Sequence, residues 1–132
     1  MASVRVQVHG PASPDVAWER YLHPERWITW APHLNSVAAS TPVLQRGTTG
    51  TVTALGVVTA RFQVLSVDPE SRSWSWVVRV GPVELVLHHS LRARAAGRAA
   101  PGTTAGITMT GPWPVLMAYR PLMRRALRRL VH

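Results

Sequence analysis

Cysteine is absent from the chain, which removes disulfides, thiolate metal ligands and thiol nucleophiles together. Lysine is absent too. All fifteen basic residues are arginine, set against six carboxylates, for a formal charge of +9. So complete a replacement reflects codon bias across a genome more than local selection for guanidinium chemistry. The charge still creates a field that attracts polyanions and anionic lipid. No stretch of about 18 apolar residues occurs, so no transmembrane helix is expected. The opening MASVRVQVHG has no apolar run of signal-peptide length, and a soluble cytoplasmic protein is the expectation. Missing as well are a phosphate-binding glycine loop, a serine in a nucleophile motif and paired acids. What remains is 132 residues, one domain by length. A domain of this size buries roughly 68% of the surface its unfolded chain exposes, enough to close a core unaided.

The chain opens with strict alternation over residues 3–9, with Val4, Val6 and Val8 on one side, as in a half-buried strand. Ser13 is a good N-cap and Pro14 suits the first helical position. They predict a short helix over 14–21 carrying Val16 and Trp18. Pro24 opens a second helical turn through Trp27, which Pro32 ends. From 34 to 111 the pattern is of strands punctuated by Gly, Pro, Asp and Ser. A strand near 34–39 leads to the loop TPVLQRGTTG, and 51–55 and 58–67 form a hairpin around Gly56. After the turn DPESR come 72–80, the turn Gly81-Pro82, 83–93, the loop AAGRAAPGTTAG and 103–111. The C-terminal segment GPWPVLMAYRPLMRRALRRLVH has helical spacing. Leu116, Met123 and Leu130 are seven apart with Tyr119 and Leu127 beside them, and Arg124, Arg125, Arg128 and Arg129 lie opposite. Pro121 is expected to kink or divide that helix. These elements make an α+β domain. An antiparallel sheet has to cover its apolar face, and the last helix is the only element long enough, so the sheet should wrap around it.

This order of elements resembles the helix-grip fold of the START-like (SRPBCC) superfamily, and within it the polyketide cyclase/dehydrase-like group. The resemblance rests on SPDVAWERYLHPERWITWAPHL for the two short helices, GTTG opening the meander and RFQVLSVDPESRSWSWVVRVGPVEL across the central strands. HHSLRARAAGRAAPGTTAGITMTGP and the final VLMAYRPLMRRALRRL complete it, over nearly the whole chain. It implies one domain, 1–132, with a hydrophobic cavity between a curved sheet and the C-terminal helix. It brings no catalytic motif that transfers residue by residue.

Strand parity selects wall residues without help from the resemblance. Trp74, Trp76, Val78 and Val80 share a face, as do Val83, Leu85, Leu87, His89 and Leu91. Phe62 and Val64 do so in the preceding strand, and Ile107 and Met109 in the last. Such a wall is apolar and aromatic with His89 its one ionisable member, a composition common to small-molecule pockets and to closed cores. Trp27 and Trp30 sit where the helix pair would cover the mouth of the sheet, as core plugs or as a movable aromatic wall. Leu116, Tyr119 and Met123 complete the candidate set on the inward side of the last helix. His89 is a ligand anchor or a proton-transfer group, with Tyr119 the second polar candidate for either role. Metal is not expected: His23 and His33 are ten apart, and His88 and His89 point to opposite faces. Arg61 and Arg79 fall outward.

Binding of a small hydrophobic molecule asks least of these residues, with no cofactor. Polyketide aromatase/cyclase or dehydratase chemistry is the alternative, needing a base near a carbon acid and a donor for the enolate oxygen. A third class is an anion- or membrane-surface protein acting through the Arg-rich helix. No specific nucleic-acid partner is expected, and contact of that helix with anionic surfaces should be weak and salt-sensitive. Monomer and homodimer are both compatible with the sequence.

Overall fold

In the computed structural model, which describes residues 2–94 and 102–132, the chain runs through seven strands and three α-helices. Strand β1 (Ala2–Gly10) leads to α1 (Pro14–Leu22), a 3-10 turn (Pro24–Arg26) and α2 (Trp27–Trp30). Then follow β2 (Leu34–Ala39), β3 (Thr49–Ala54), β4 (Val58–Asp68), β5 (Ser73–Val80), β6 (Val83–Ala93) and β7 (Thr103–Gly111), and last α3 (Trp113–Leu130). The sheet order is β1-β7-β6-β5-β4-β3-β2, every pair antiparallel. This is the expected α+β architecture, a curved antiparallel sheet around a long C-terminal helix. Residues 95–101 of the expected loop AAGRAAPGTTAG lie outside the described residues.

Local chemistry accounts for the element ends. Ser13 accepts a hydrogen bond from the Val16 N–H at 3.2 Å and caps α1 as its sequence position predicts. The buried face of α1 is Ala17, Trp18 and Tyr21, however, and Val16 is exposed. Pro121 does not divide α3, which is one helix through it. The lost backbone donor is on the solvent side: Pro121 and Met117, whose carbonyl it would have met, are both exposed. Two strands carry an extra residue. Asn35 bulges from β2, and its side-chain oxygen accepts from the Gly56 N–H at 2.6 Å. Leu65 bulges from β4, and beyond it Val67 stands opposite Trp74.

The placement of α3 decides where space remains. Its close backbone approaches are to β1, β7 and α2. Its C-terminal end is held in the corner between β1 and α1. Arg20 donates to the Leu130 carbonyl at 2.6 Å and to that of Arg129 at 3.3 Å, and the Ala12 N–H donates to the Val131 carbonyl at 2.9 Å. Arg20 thus satisfies the orphan carbonyls of the last turn and adds a positive charge where the helix dipole is negative. Gly10 is required by this contact, because a Cβ there would lie 2.3 Å from the Val131 oxygen.

Deleting residues 121–132 should abolish folding. It removes Met123, Leu127, Leu130 and Val131, all buried, each worth about 1.5–3 kcal/mol in a domain whose whole stability is on the order of 5–15 kcal/mol. Arg20→Ala should cost about 1–2 kcal/mol through the lost carbonyl bonds. Urea unfolding followed by circular dichroism measures both. A truncated chain that unfolds cooperatively, or an Arg20→Ala midpoint equal to that of the parent, contradicts this account of how α3 is held.

Candidate functional site

Because α3 approaches β1 and β7 closely, a cavity of about 300 Å³ remains between it and the strands further along the sheet. Trp74, Trp76, Leu87 and His89 line it from β5 and β6, Trp27 and Trp30 from α2, and Tyr119 and Met123 from α3. Phe62, Met109 and Leu116 do not border the space and belong to the closed core. Phe62 is covered by Trp27 and Trp76, at ring-centroid distances of 5.9 and 5.0 Å. Met109 and Leu116 belong to β7 and to the first half of α3, two elements that pack directly on each other. Tyr21, His33 and Leu55 line the cavity and were not singled out from the sequence. Tyr21 follows Ala17 by four residues and Trp18 by three, and that helical spacing is the signal that marks it. Nothing local marks the other two.

Trp74 is the centre of an aromatic cluster. His89, its cross-strand partner, stacks on it with centroids 3.8 Å apart and planes 3° from parallel. Trp27 stacks at 5.7 Å, while Tyr21 and Trp76 meet Trp74 edge-on at 5.4 and 5.1 Å. Trp27 is 2% exposed and its indole N–H donates to the Tyr21 carbonyl at 2.9 Å. It is a fixed wall. Trp30 is half-buried and donates to the Arg20 carbonyl at 3.2 Å.

His89 is 3% exposed, and its Nδ1 lies 3.2 Å from the Trp74 carbonyl oxygen. Burial lowers its pKa to about 3; the Trp74 carbonyl opposes that shift in part, and His88 adds to it. The ring is neutral at neutral pH and far from the range of a base poised near 7. Tyr119 does not pair with it. The Tyr119 hydroxyl instead lies 3.2 Å from Nε2 of His33, whose pKa is lowered by burial and whose Nδ1 is buried with no partner. Burial raises the Tyr119 hydroxyl to about 12, so it remains protonated. The His33 carbonyl accepts from the Leu55 N–H at 2.9 Å, so this residue ties α3 to the β3–β4 tip beside the cavity.

That tip is strained. Leu55 and Gly56 have φ values of 53° and 75°, and the Val57 N–H closes the turn on the Ala54 carbonyl at 3.2 Å. Positive φ at both central positions favours Asn-Gly, and leucine there costs about 1–2 kcal/mol. Leu55 is also 58% exposed. Neither conformation nor solvation accounts for leucine at this position. No charged side chain lines the cavity. Arg125, Arg128 and Arg129 are exposed on α3, and Arg61 and Arg79 are exposed on the outer face of the sheet. Among the described residues no group of three or more His, Asp or Glu comes together around a metal-sized space, and no helix is long and apolar enough to cross a membrane.

The family model described as "Polyketide cyclase / dehydrase and lipid transport" matches residues 1–132, and the chain belongs to that family. Two solved structures share its fold. XoxI from Bacillus cereus superposes with a TM-score of 0.81 at 12% identity, covering 99% of this chain and 94% of that one. Ara h 8.0201 superposes with a TM-score of 0.72, also at 12% identity, covering 98% and 94%. At that identity the likeness is one of fold, the helix-grip architecture. No curated protein matches the chain by sequence.

The buried imidazoles set a pH dependence. Between the ordinary histidine pKa of about 6.5 and the folded value of about 3, the unfolded chain binds a proton at His89 that the folded chain does not. The contribution of His89 to stability is therefore fully present above pH 6.5 and falls as pH drops through this window, by at most about 1.4 kcal/mol per pH unit. His33 acts in the same direction. Urea unfolding at pH 7, 6, 5 and 4 should show this slope, and His89→Phe should flatten it. Parallel curves for parent and variant contradict the assignment.

Proposed function

We propose that the protein holds a small, largely apolar molecule in the cavity between α3 and the sheet. The observation that carries this reading is the cavity itself, about 300 Å³ walled by aromatic and aliphatic side chains with no charge. Protein interiors pack as densely as organic crystals, and a void of this order forgoes several kcal/mol of packing. Space kept at that expense, within the size range of ligand pockets, is reasonably kept for a guest. Family membership supports the same reading, since polyketides and lipids both present extended apolar frames.

Leu55 supplies the door in this reading. It lines the cavity from an exposed, strained turn, and its side chain covers the guest once one is present. The turn is tethered through His33 and Asn35, so a small movement of the β3–β4 tip opens the mouth without disturbing β5 or β6.

Titration with N-phenyl-1-naphthylamine, a neutral apolar dye that brightens when desolvated, tests the proposal. We expect saturable one-to-one binding, abolished by Val78→Trp, which fills the cavity from its wall. Leu55→Asn should stabilise the free protein by about 0.5–1 kcal/mol through relief of strain and should release the dye faster. A parent protein that leaves the dye dark, or Val78→Trp binding undiminished, contradicts the function. A slower or unchanged release from Leu55→Asn contradicts the door.

A further inference from the structure

The polar groups at the inner wall differ in what they offer a guest. A carbonyl only accepts, so the contact between Nδ1 of His89 and the Trp74 oxygen places the imidazole proton on Nδ1. The ring is neutral, so Nε2 carries a lone pair, and it has no hydrogen-bond donor among the described residues. Three groups with protons to give belong to rings packed around that of His89. The Tyr21 hydroxyl and the indole N–H groups of Trp74 and Trp76 are buried with no partner. Their rings lie 5.5, 3.8 and 6.0 Å from that of His89. An unpaired buried polar group costs about 1–3 kcal/mol, and those three donors are enclosed by the packing around them, which leaves the lone pair of His89, a residue of the cavity wall, for a guest to meet.

Guest chemistries divide sharply at such an acceptor. A carboxylate would be buried without a cation, since no charged side chain lines the wall, and would set its lone pairs against Nε2. A ketone or ether presents the same repulsion to Nε2. A hydroxyl donates its proton to Nε2. Tyr119 does not discriminate, because with His33 it is able either to give or to receive. Resting on the reading of the cavity as a binding site, we infer that the guest is an apolar molecule bearing an un-ionised hydroxyl, a phenol or an alcohol, received by Nε2 of His89.

Three probes of one frame test this: 2-naphthol, 2-methylnaphthalene and 2-acetonaphthone, each titrated by calorimetry into the parent protein and into His89→Phe. Comparing ratios between the two proteins cancels the probes' different affinities for water. The preference for naphthol over methylnaphthalene should fall by about fivefold or more in the variant, the worth of one buried hydrogen bond, and acetonaphthone should show no such loss. Nitrogen-15 NMR of histidine-labelled parent protein gives a second readout that does not depend on the variant folding. The proton of His89 should reside on Nδ1, and naphthol but not methylnaphthalene should move the Nε2 resonance. A proton found on Nε2, or a naphthol preference equal in both proteins, overturns the hydroxyl assignment and leaves the cavity reading standing. If none of the three probes nor the naphthylamine dye binds, the cavity reading fails and this inference with it.

Discussion

At the C-terminal end of α3 the carbonyls of Arg129, Leu130 and Val131 are taken up by the Arg20 guanidinium and the Ala12 N–H, against a glycine that leaves them room. This fixes the end of the helix at one edge of the sheet, over β1 and β7, and leaves space between the helix and the strands further along. The gap is the cavity. The grip on the helix and the void beside it are thus consequences of one docking contact.

Inside the gap, the sheet supplies a second fixed reference, the stack of His89 on Trp74. Cross-strand register sets the two rings face to face, and a backbone carbonyl fixes which imidazole nitrogen carries the proton. Desolvation then holds the ring neutral, which suits it to recognition of an uncharged guest and ill suits it to abstraction of a proton from carbon. At the β3–β4 tip Leu55 lies in a left-handed turn, and His33 joins that turn to Tyr119 of α3.

Much of this was legible in residue order. Alternation in β5 and β6 identified Trp74, Trp76, Leu87 and His89 as one wall because a strand's side-chain period admits no other reading. Helical spacing gave the inward face of α3, including Tyr119 and Met123. The same periodicity was blind to depth, which is why Phe62, Met109 and Leu116 were grouped with the wall although closely packed neighbours seal them from the space. What escaped depends on contacts between residues far apart in the chain. His33 becomes a site residue only where α3 brings Tyr119 to it, and Arg20 caps a helix that begins some ninety residues later. The bulges at Asn35 and Leu65 carry no glycine or proline to announce them. Leu55 in a turn that favours asparagine looked like an ordinary hairpin flank, because strain at one residue is invisible until its φ is known.

The central claim is that the cavity exists to be filled by an uncharged apolar molecule. Incubating the purified protein with a cell extract, re-isolating it and weighing the intact complex by native mass spectrometry addresses that claim without choosing a guest in advance. The account expects one small neutral molecule per chain, released on denaturation and extractable into organic solvent. A protein that returns from the extract with its cavity empty, or that carries only anionic species displaced by salt from its arginine surface, would contradict it.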